Sequence, residues 1–173
     1  YIAWGDELRE KSGLVMIASN WYQGARHALT QKPVKSPADL AGVRMRTIGA
    51  PVWIETIRAM GAEPTPIAWG EVYTALQLGT IDGAEAQPTA IWNAKLYEVI
   101  KNVTKTGHIQ LVDGRYASQL TIELGEKALE DVAASGVEVS EVDLAPFKEA
   151  VKPVYKQLDL EAEAAIVNKV LGR

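Results

Sequence analysis

The segment GVRMRTIGAP, Gly42 to Pro51, alternates like a short strand, with Val43, Met45 and Thr47 on one side and Arg44 and Arg46 on the other, before the chain turns at Gly49. Alternation puts both guanidinium groups on one face. Two chemistries fit this pair: a solvated strand face, or an anion site in which an arginine fork meets a carboxylate. Other candidates carry weaker signals. Asp82 and Glu85 near a strand end read either as an acid–base pair or as solvated turn carboxylates. His27 and His108 stand 81 positions apart and read as structural hydrogen-bonding groups. No G-x-S-x-G, H-E-x-x-H or G-x-x-x-x-G-K-[ST] occurs, so the sequence offers no catalytic set and no metal-ligating set.

Composition narrows the setting of these residues. The chain has 173 residues, 47% hydrophobic and 23% charged, which suits a globular core. A net charge of −4 and a pI near 5.3 give no footprint for nucleic acid or an anionic membrane surface, so any anion site must be local. The absence of cysteine excludes disulfides and thiolate chemistry and leaves the redox compartment open. There is no apolar run long enough to span a bilayer, no internal repeat and no low-complexity tract.

The elements that must position the arginines follow from periodicity. WGDELREKSG is a helix end closed by Gly13, and Leu14 to Ser19 reads as a buried strand. QKPVKSPADLAG is a polar loop with a helical turn at Ser36 to Asp39, and VRMRTI is a strand. Pro51 opens a helix with the stripe Trp53, Ile57 and Met60, which Gly61 ends. Glu63 to Ile67 is extended, Trp69 to Leu78 helical, TIDGAEA a strand, and Pro88 to Val99 helical. The stretch from Asn102 to Leu124 reads as β-rich with a hairpin at Asp113-Gly114. A short helix, a strand after Gly136, a helix striped by Leu144, Phe147, Val151, Val154 and Leu158 with Pro153 as a kink, and a final helix in EAEAAIVNKVLGR complete the chain. Alternating strand and helix predicts an α/β fold with a largely parallel sheet, whose ligands sit at the carboxyl ends of strands. Arg46 lies near such an end.

Blocks in this order resemble a known family. KPVKSPADLAGVRMRTIGAP, MGAEPTPIAWGEVYTALQLGTIDGAEAQP and KLYEVIKNVTKTGH are similar to the solute-binding proteins of tripartite ATP-independent periplasmic (TRAP) transporters, the DctP-like family, over about residues 20 to 110. The resemblance implies a periplasmic-binding-protein-like α/β fold of two domains around a ligand cleft, with most of the N-terminal domain absent from this chain. On that plan residues 1–20 end the first domain, 21–108 form the second, ligand-binding domain, and 109–173 return to pack on the first. The resemblance also implies capture of an organic acid for membrane-embedded TRAP permease subunits in the periplasm, by a monomer with no catalytic residues, cofactor, metal or nucleic acid. Hinge crossings are expected near 19–22 and 106–112.

By the same resemblance Arg46 pairs with the ligand carboxylate, Arg26 assists it, and Trp69 packs on the ligand. Glu85 and Gln87 complete the candidate binding set. Read without the resemblance, Arg26 is an exposed loop arginine and Trp69 a core residue capping its helix; Arg44 is a surface charge supporting the strand. The sequence departs from the family pattern in two places. Ala86 stands where the family often has Asn, which leaves room for a bulkier or more aromatic acid than a C4-dicarboxylate. TIELGEKALED passes from a strand to a short helix where the family has a long connecting helix. The alternative is a ligand-sensing regulator or an enzyme on a similar scaffold. An enzyme would need a base or nucleophile converging on Arg46, and the sequence supplies none.

Overall fold

The computed structural model describes residues 2–15, 22–112 and 118–161. In chain order the elements are α1 (Ile2–Ser12), β1 (Tyr22–Thr30), β2 (Arg44–Thr47), α2 (Pro51–Ala59), β3 (Glu63–Pro66), α3 (Val72–Gln77), β4 (Gly83–Ala86), α4 (Pro88–Asn93), β5 (Asn102–Val112), α5 (Ser118–Ala134), β6 (Glu138–Ser140) and α6 (Ala145–Gln157). Short 3-10 turns lie at Pro37–Leu40, Trp69–Glu71 and Leu96–Glu98. The strands form one sheet in the order β3-β2-β4-β1-β5-β6.

The βα rhythm gives the parallel pairs β2·β3 and β2·β4, and β5·β6 is also parallel. β1 is the exception, antiparallel to both β4 and β5. Successive residues of β1 feed opposite layers: Leu29 joins the core beneath α3, α4 and α5, whereas Ala28 joins the core with Met45, Ile57, Met60 and Phe147 beneath α2 and α6. Two buried layers thus hold the sheet from both faces. Each fully buried Leu, Ile or Phe contributes about 1.5–3 kcal/mol.

β1 and β5 do not pair evenly. Arg26 faces Ile109 and Ala28 faces Thr104, so one residue of β1 opposes four of β5, and the extra length bulges at Lys105 to His108. Gly107 permits it with φ +52. This bulge turns His108 inward, beneath the candidate site.

Several expectations need correction. Leu14 and Val15 are exposed and lie outside any strand, and the rest of that run falls outside the described residues. The stretch Trp69 to Leu78 begins as a 3-10 turn before α3, and the stretch Pro88 to Val99 is broken after Asn93, where Lys95 adopts φ 53. Trp92 and Tyr97 stack across that break at 4.8 Å. TIEL is helical, not extended: α5 runs 17 residues, so a long helix does follow β5. Gly125 lies inside α5, where an added Cβ would stand 3.9 Å from Pro88 Cγ, an ordinary packing contact between α5 and α4. The Asp113-Gly114 hairpin and the final helix lie outside the described residues.

Candidate functional site

Three neighbouring strands, β2, β4 and β1, bring the candidate residues together. Glu85 sits on the middle strand opposite Ala28, and Arg46 is in register with Ala84 beside it. Arg26 lies one step beyond the His27–Ala86 pair, which sets it across from Gln87 and diagonal to Glu85. The side-chain contacts follow this register. Arg26 Nε and Nη2 donate to Glu85 Oε2 and Oε1, the second at 2.9 Å; Nη2 also donates to the Glu85 carbonyl at 3.1 Å, and Nη1 to Gln87 Oε1 at 2.7 Å. Four of the five guanidinium N–H groups of Arg26 are therefore engaged.

Arg46 is differently placed. It is buried, with 5% of its surface exposed, yet its guanidinium makes a single hydrogen bond among the described residues, from Nε to the Ile67 carbonyl at 2.9 Å. Its Nη1 stands 3.9 Å from Glu85 Oε1, too far for a hydrogen bond. The Trp69 ring lies under it, with Cζ 5.2 Å from the ring centroid, a cation–π contact. Trp69 is half-exposed at the head of its 3-10 turn, so it is a surface platform and not a core residue.

The electrostatics follow from burial. Desolvation and repulsion from Arg26 pull Arg46 below the usual arginine range, while Glu85 opposes them. For Glu85, burial pushes upward, but His108 and Arg26 outweigh it and hold the carboxyl below its ordinary value. His108 Nε2 lies 3.8 Å from Glu85 Oε2 with no hydrogen-bond partner, and Nδ1 meets Thr106 Oγ1 at 2.8 Å. His27 accepts the Gly107 N–H on Nδ1 at 3.3 Å. Both histidines hold the β5 bulge.

The five residues expected at the site, Arg46, Arg26, Trp69, Glu85 and Gln87, converge. Arg44 stays outside, half-exposed and paired with Asp82 at 2.8 Å. Three readings made without the resemblance fail: Arg26 is a buried strand residue, Trp69 is half-exposed, and Glu85 is fully buried and held by Arg26 while Asp82 is held by Arg44, so the two carboxylates form no pair. The ion pair between them went unread. A lone Glu inside the small apolar strand GAEA was the available signal, because a buried carboxylate requires a cationic partner. Among the described residues no group of three or more His, Cys, Asp or Glu could hold a metal ion.

A buried, under-bonded arginine at strand ends fits anion capture, and comparison supplies the family. Residues 3–119 match the model of the DctP family, bacterial extracellular solute-binding protein, family 7. The chain belongs to this family. The sialic acid-binding periplasmic protein SiaP of Vibrio cholerae is 31% identical over 192 residues, covering 95% of this chain and 60% of the relative. The 2,3-diketo-L-gulonate-binding periplasmic protein YiaO of Escherichia coli is 32% identical, over 84% of this chain and 54% of that protein. Among solved structures, a TRAP periplasmic solute binding protein from Escherichia fergusonii superposes with a TM-score of 0.85 at 42% identity, over 97% of this chain and 66% of that one. Another, from Ochrobacterium anthropi with bound L-fuconate, gives 0.84 at 31% identity, over 90% of this chain and 60% of that one. The fold is therefore the α/β fold of the TRAP periplasmic solute-binding proteins, and the chain spans about 60% of the length of the SiaP relative.

Proposed function

We propose that this family 7 chain is part of an extracytoplasmic protein that captures an organic acid and delivers it to membrane-embedded TRAP permease subunits. The observation that carries this reading is Arg46. A guanidinium 5% exposed, with one backbone hydrogen bond and no carboxylate within hydrogen-bond reach among the described residues, is a buried charge awaiting an anion. With Nε committed to Ile67, a carboxylate meets the Nη1 and Nη2 edge. Trp69 then walls the apolar part of the ligand, Gln87 offers its amide, Arg26 adds its field and one remaining N–H, and Glu85 holds Arg26 in place.

The relatives named for sialic acid and 2,3-diketo-L-gulonate, and the neighbours solved with L-fuconate, L-galactonate and β-D-galacturonate, support an acid as cargo. The reading includes binding without chemistry, a periplasmic location and a monomer. No described helix is long and apolar enough to cross a membrane. Residues 21–108 act as the ligand-binding domain and 109–173 as the returning segment, with the β5 bulge serving the hinge expected at 106–112.

Calorimetric titration of the full-length protein with D-glucuronate, β-D-galacturonate, L-galactonate and L-fuconate tests the reading. Removing one partner of a desolvated charge pair costs about 2–5 kcal/mol, so Arg46→Ala should weaken binding by roughly thirty-fold or more. Unchanged affinity in a folded Arg46→Ala protein would refute it.

A further inference from the structure

We infer that the site takes up a proton together with its acid, and that His108, on the other oxygen of Glu85 from Arg46, receives it. The inference rests on the organic-acid reading above and deepens it by a regulation of the same site.

Glu85 has nitrogen groups around both of its oxygens. Arg26 spans the carboxylate edge, Arg46 Nη1 stands 3.9 Å from Oε1, and His108 Nε2 stands 3.8 Å from Oε2. The side chains of Glu85 and His108 are 0% exposed and that of Arg46 5%, so solvent screens little between them. With both histidines neutral, two arginines and one carboxylate leave a buried charge of +1. A proton on His108 makes it +2 in the empty site. A ligand carboxylate on Arg46 removes one unit from either sum, so the imidazolium is opposed by less positive charge once the acid is in place. Anion and proton therefore favour one another, and by linkage each tightens the hold on the other.

The hydrogen-bond partners decide which histidine carries the proton. His27 Nδ1 accepts the Gly107 N–H, a group that only donates, and burial, followed by His108 and Lys105, holds that ring down at about 4. His108 Nδ1 instead meets the Thr106 hydroxyl at 2.8 Å, and a hydroxyl donates to a bare nitrogen or accepts from a protonated one. Its Nε2, buried without a hydrogen-bond partner among the described residues, has the Glu85 carboxylate beside it. An imidazolium at His108 thus has an acceptor at one nitrogen and a negative charge near the other. The groups around it are Arg26 and His27 on β1, Glu85 on β4, Arg46 on β2, and Thr106 and Lys105 on β5, with Lys105 paired to Glu141 at 3.1 Å. Among the described residues the titratable side chains of α5 and α6 are exposed, except Asp131, which pairs with Lys127.

Calorimetric titration of the full-length protein with the same four acids, in two buffers of unlike ionisation enthalpy at pH 5.5, 6.5, 7.5 and 8.5, counts the protons exchanged on binding. An ordinary carboxylic acid, with a pKa of about 4, is ionised throughout, so the ligand itself exchanges almost none. For each acid bound, the parent should take up part of a proton within this range, and its affinity should rise by about tenfold from pH 8.5 to 5.5, a usual size for two coupled sites. His108→Gln should abolish the uptake and hold affinity within about threefold across the range. His27→Gln, whose amide oxygen still accepts the Gly107 N–H, should keep the uptake. Thr106→Val, close in shape to the parent, removes the acceptor for the added proton and should move the uptake to lower pH by about one unit or more, the scale of one hydrogen bond to a charged group. A parent that binds an acid with no proton uptake at any of the four pH values overturns the inference while the organic-acid reading stands. So does uptake that persists in a folded His108→Gln protein or, where that variant does not fold, uptake that Thr106→Val leaves in place. A parent that binds none of the four acids removes that reading, and the inference with it.

Discussion

The Arg26 guanidinium lies along the edge of the Glu85 carboxylate, Nε on Oε2 and Nη2 on Oε1, in a pair that is almost wholly out of water. Two opposite charges buried together are each other's only adequate solvent. Removing Glu85 leaves Arg26 and Arg46 facing one another across its place. Glu85→Ala should therefore cost about 3–5 kcal/mol of stability, the usual penalty for breaking a buried pair. The double variant Arg26→Met with Glu85→Leu should cost less than the two single changes added together, because no charge is then left unpaired. Urea denaturation of the four proteins measures this, and strict additivity would show that the pair is not coupled.

His27 gives a pH window of its own. Burial first, then His108 and Lys105, lowers it from 6.5 to about 4, and its Nδ1 must stay unprotonated to accept the Gly107 N–H. Below pH 6.5 the unfolded chain takes up a proton that the folded chain refuses until about pH 4. Stability is fully present above the unfolded value and is lost as pH falls through this interval, by about 3 kcal/mol in all. Glu85, also lowered, loses its contribution only below its ordinary value of 4.5. Denaturation curves at pH 7.5, 6, 5 and 4.5 should fall steeply for the parent and less steeply for His27→Gln. Parallel curves would mean that the histidine does not resist protonation.

The sequence made the βα units legible because their stripes and stops are local: Pro51 opens α2, Gly61 follows it, and Arg44–Thr47 forms β2 as the alternation implies. What it hid depends on contacts between distant segments. β1 carries an irregular pairing with β5 and a glycine at φ +88, and this blurred its alternation, so Arg26 could be read as a loop residue. The packing of α5 on α4, where Gly125 lies beside Pro88, likewise joins segments 37 positions apart in the chain. The site shows the same division. Arg46 was readable from its place near a strand end, while the Arg26–Glu85 pair spans 59 positions and needs the β1·β4 register to be seen.

Arg44 and Arg46, two residues apart, should respond in opposite ways to substitution. Arg44 makes a half-exposed pair with Asp82, with Nη2 also on the Gly79 carbonyl at 2.8 Å. Exposed pairs contribute about 0–1 kcal/mol, so Arg44→Ala should lose at most that in stability and leave ligand affinity within about threefold. Arg46→Lys keeps a charge but loses the fork and the Nε bond to Ile67, and should bind the acid clearly worse than the parent. Titration of the two variants against one acid gives the order. Equal losses would make β2 a generally basic edge and not the carrier of one anchored guanidinium.

Trp69 should matter to binding more than to folding. It is 39% exposed, so little core packing is lost when it is cut back, yet its ring lies 5.2 Å from the Arg46 Cζ. A cation over an aromatic face is worth about 0.5–2 kcal/mol, the upper end when desolvated, as closing over a ligand would make it. Trp69→Ala should weaken acid binding by roughly two- to thirty-fold, and Trp69→Phe by less, since a smaller ring keeps the face. Denaturation midpoints of both should stay near the parent. The indole also reports on its own surroundings: if the ligand covers it, saturation with the bound acid should change the tryptophan emission of the parent, and Trp69→Phe should abolish most of that change although four other tryptophans remain. An emission change that survives Trp69→Phe intact, together with unchanged affinity in Trp69→Ala, would place the ligand away from this ring.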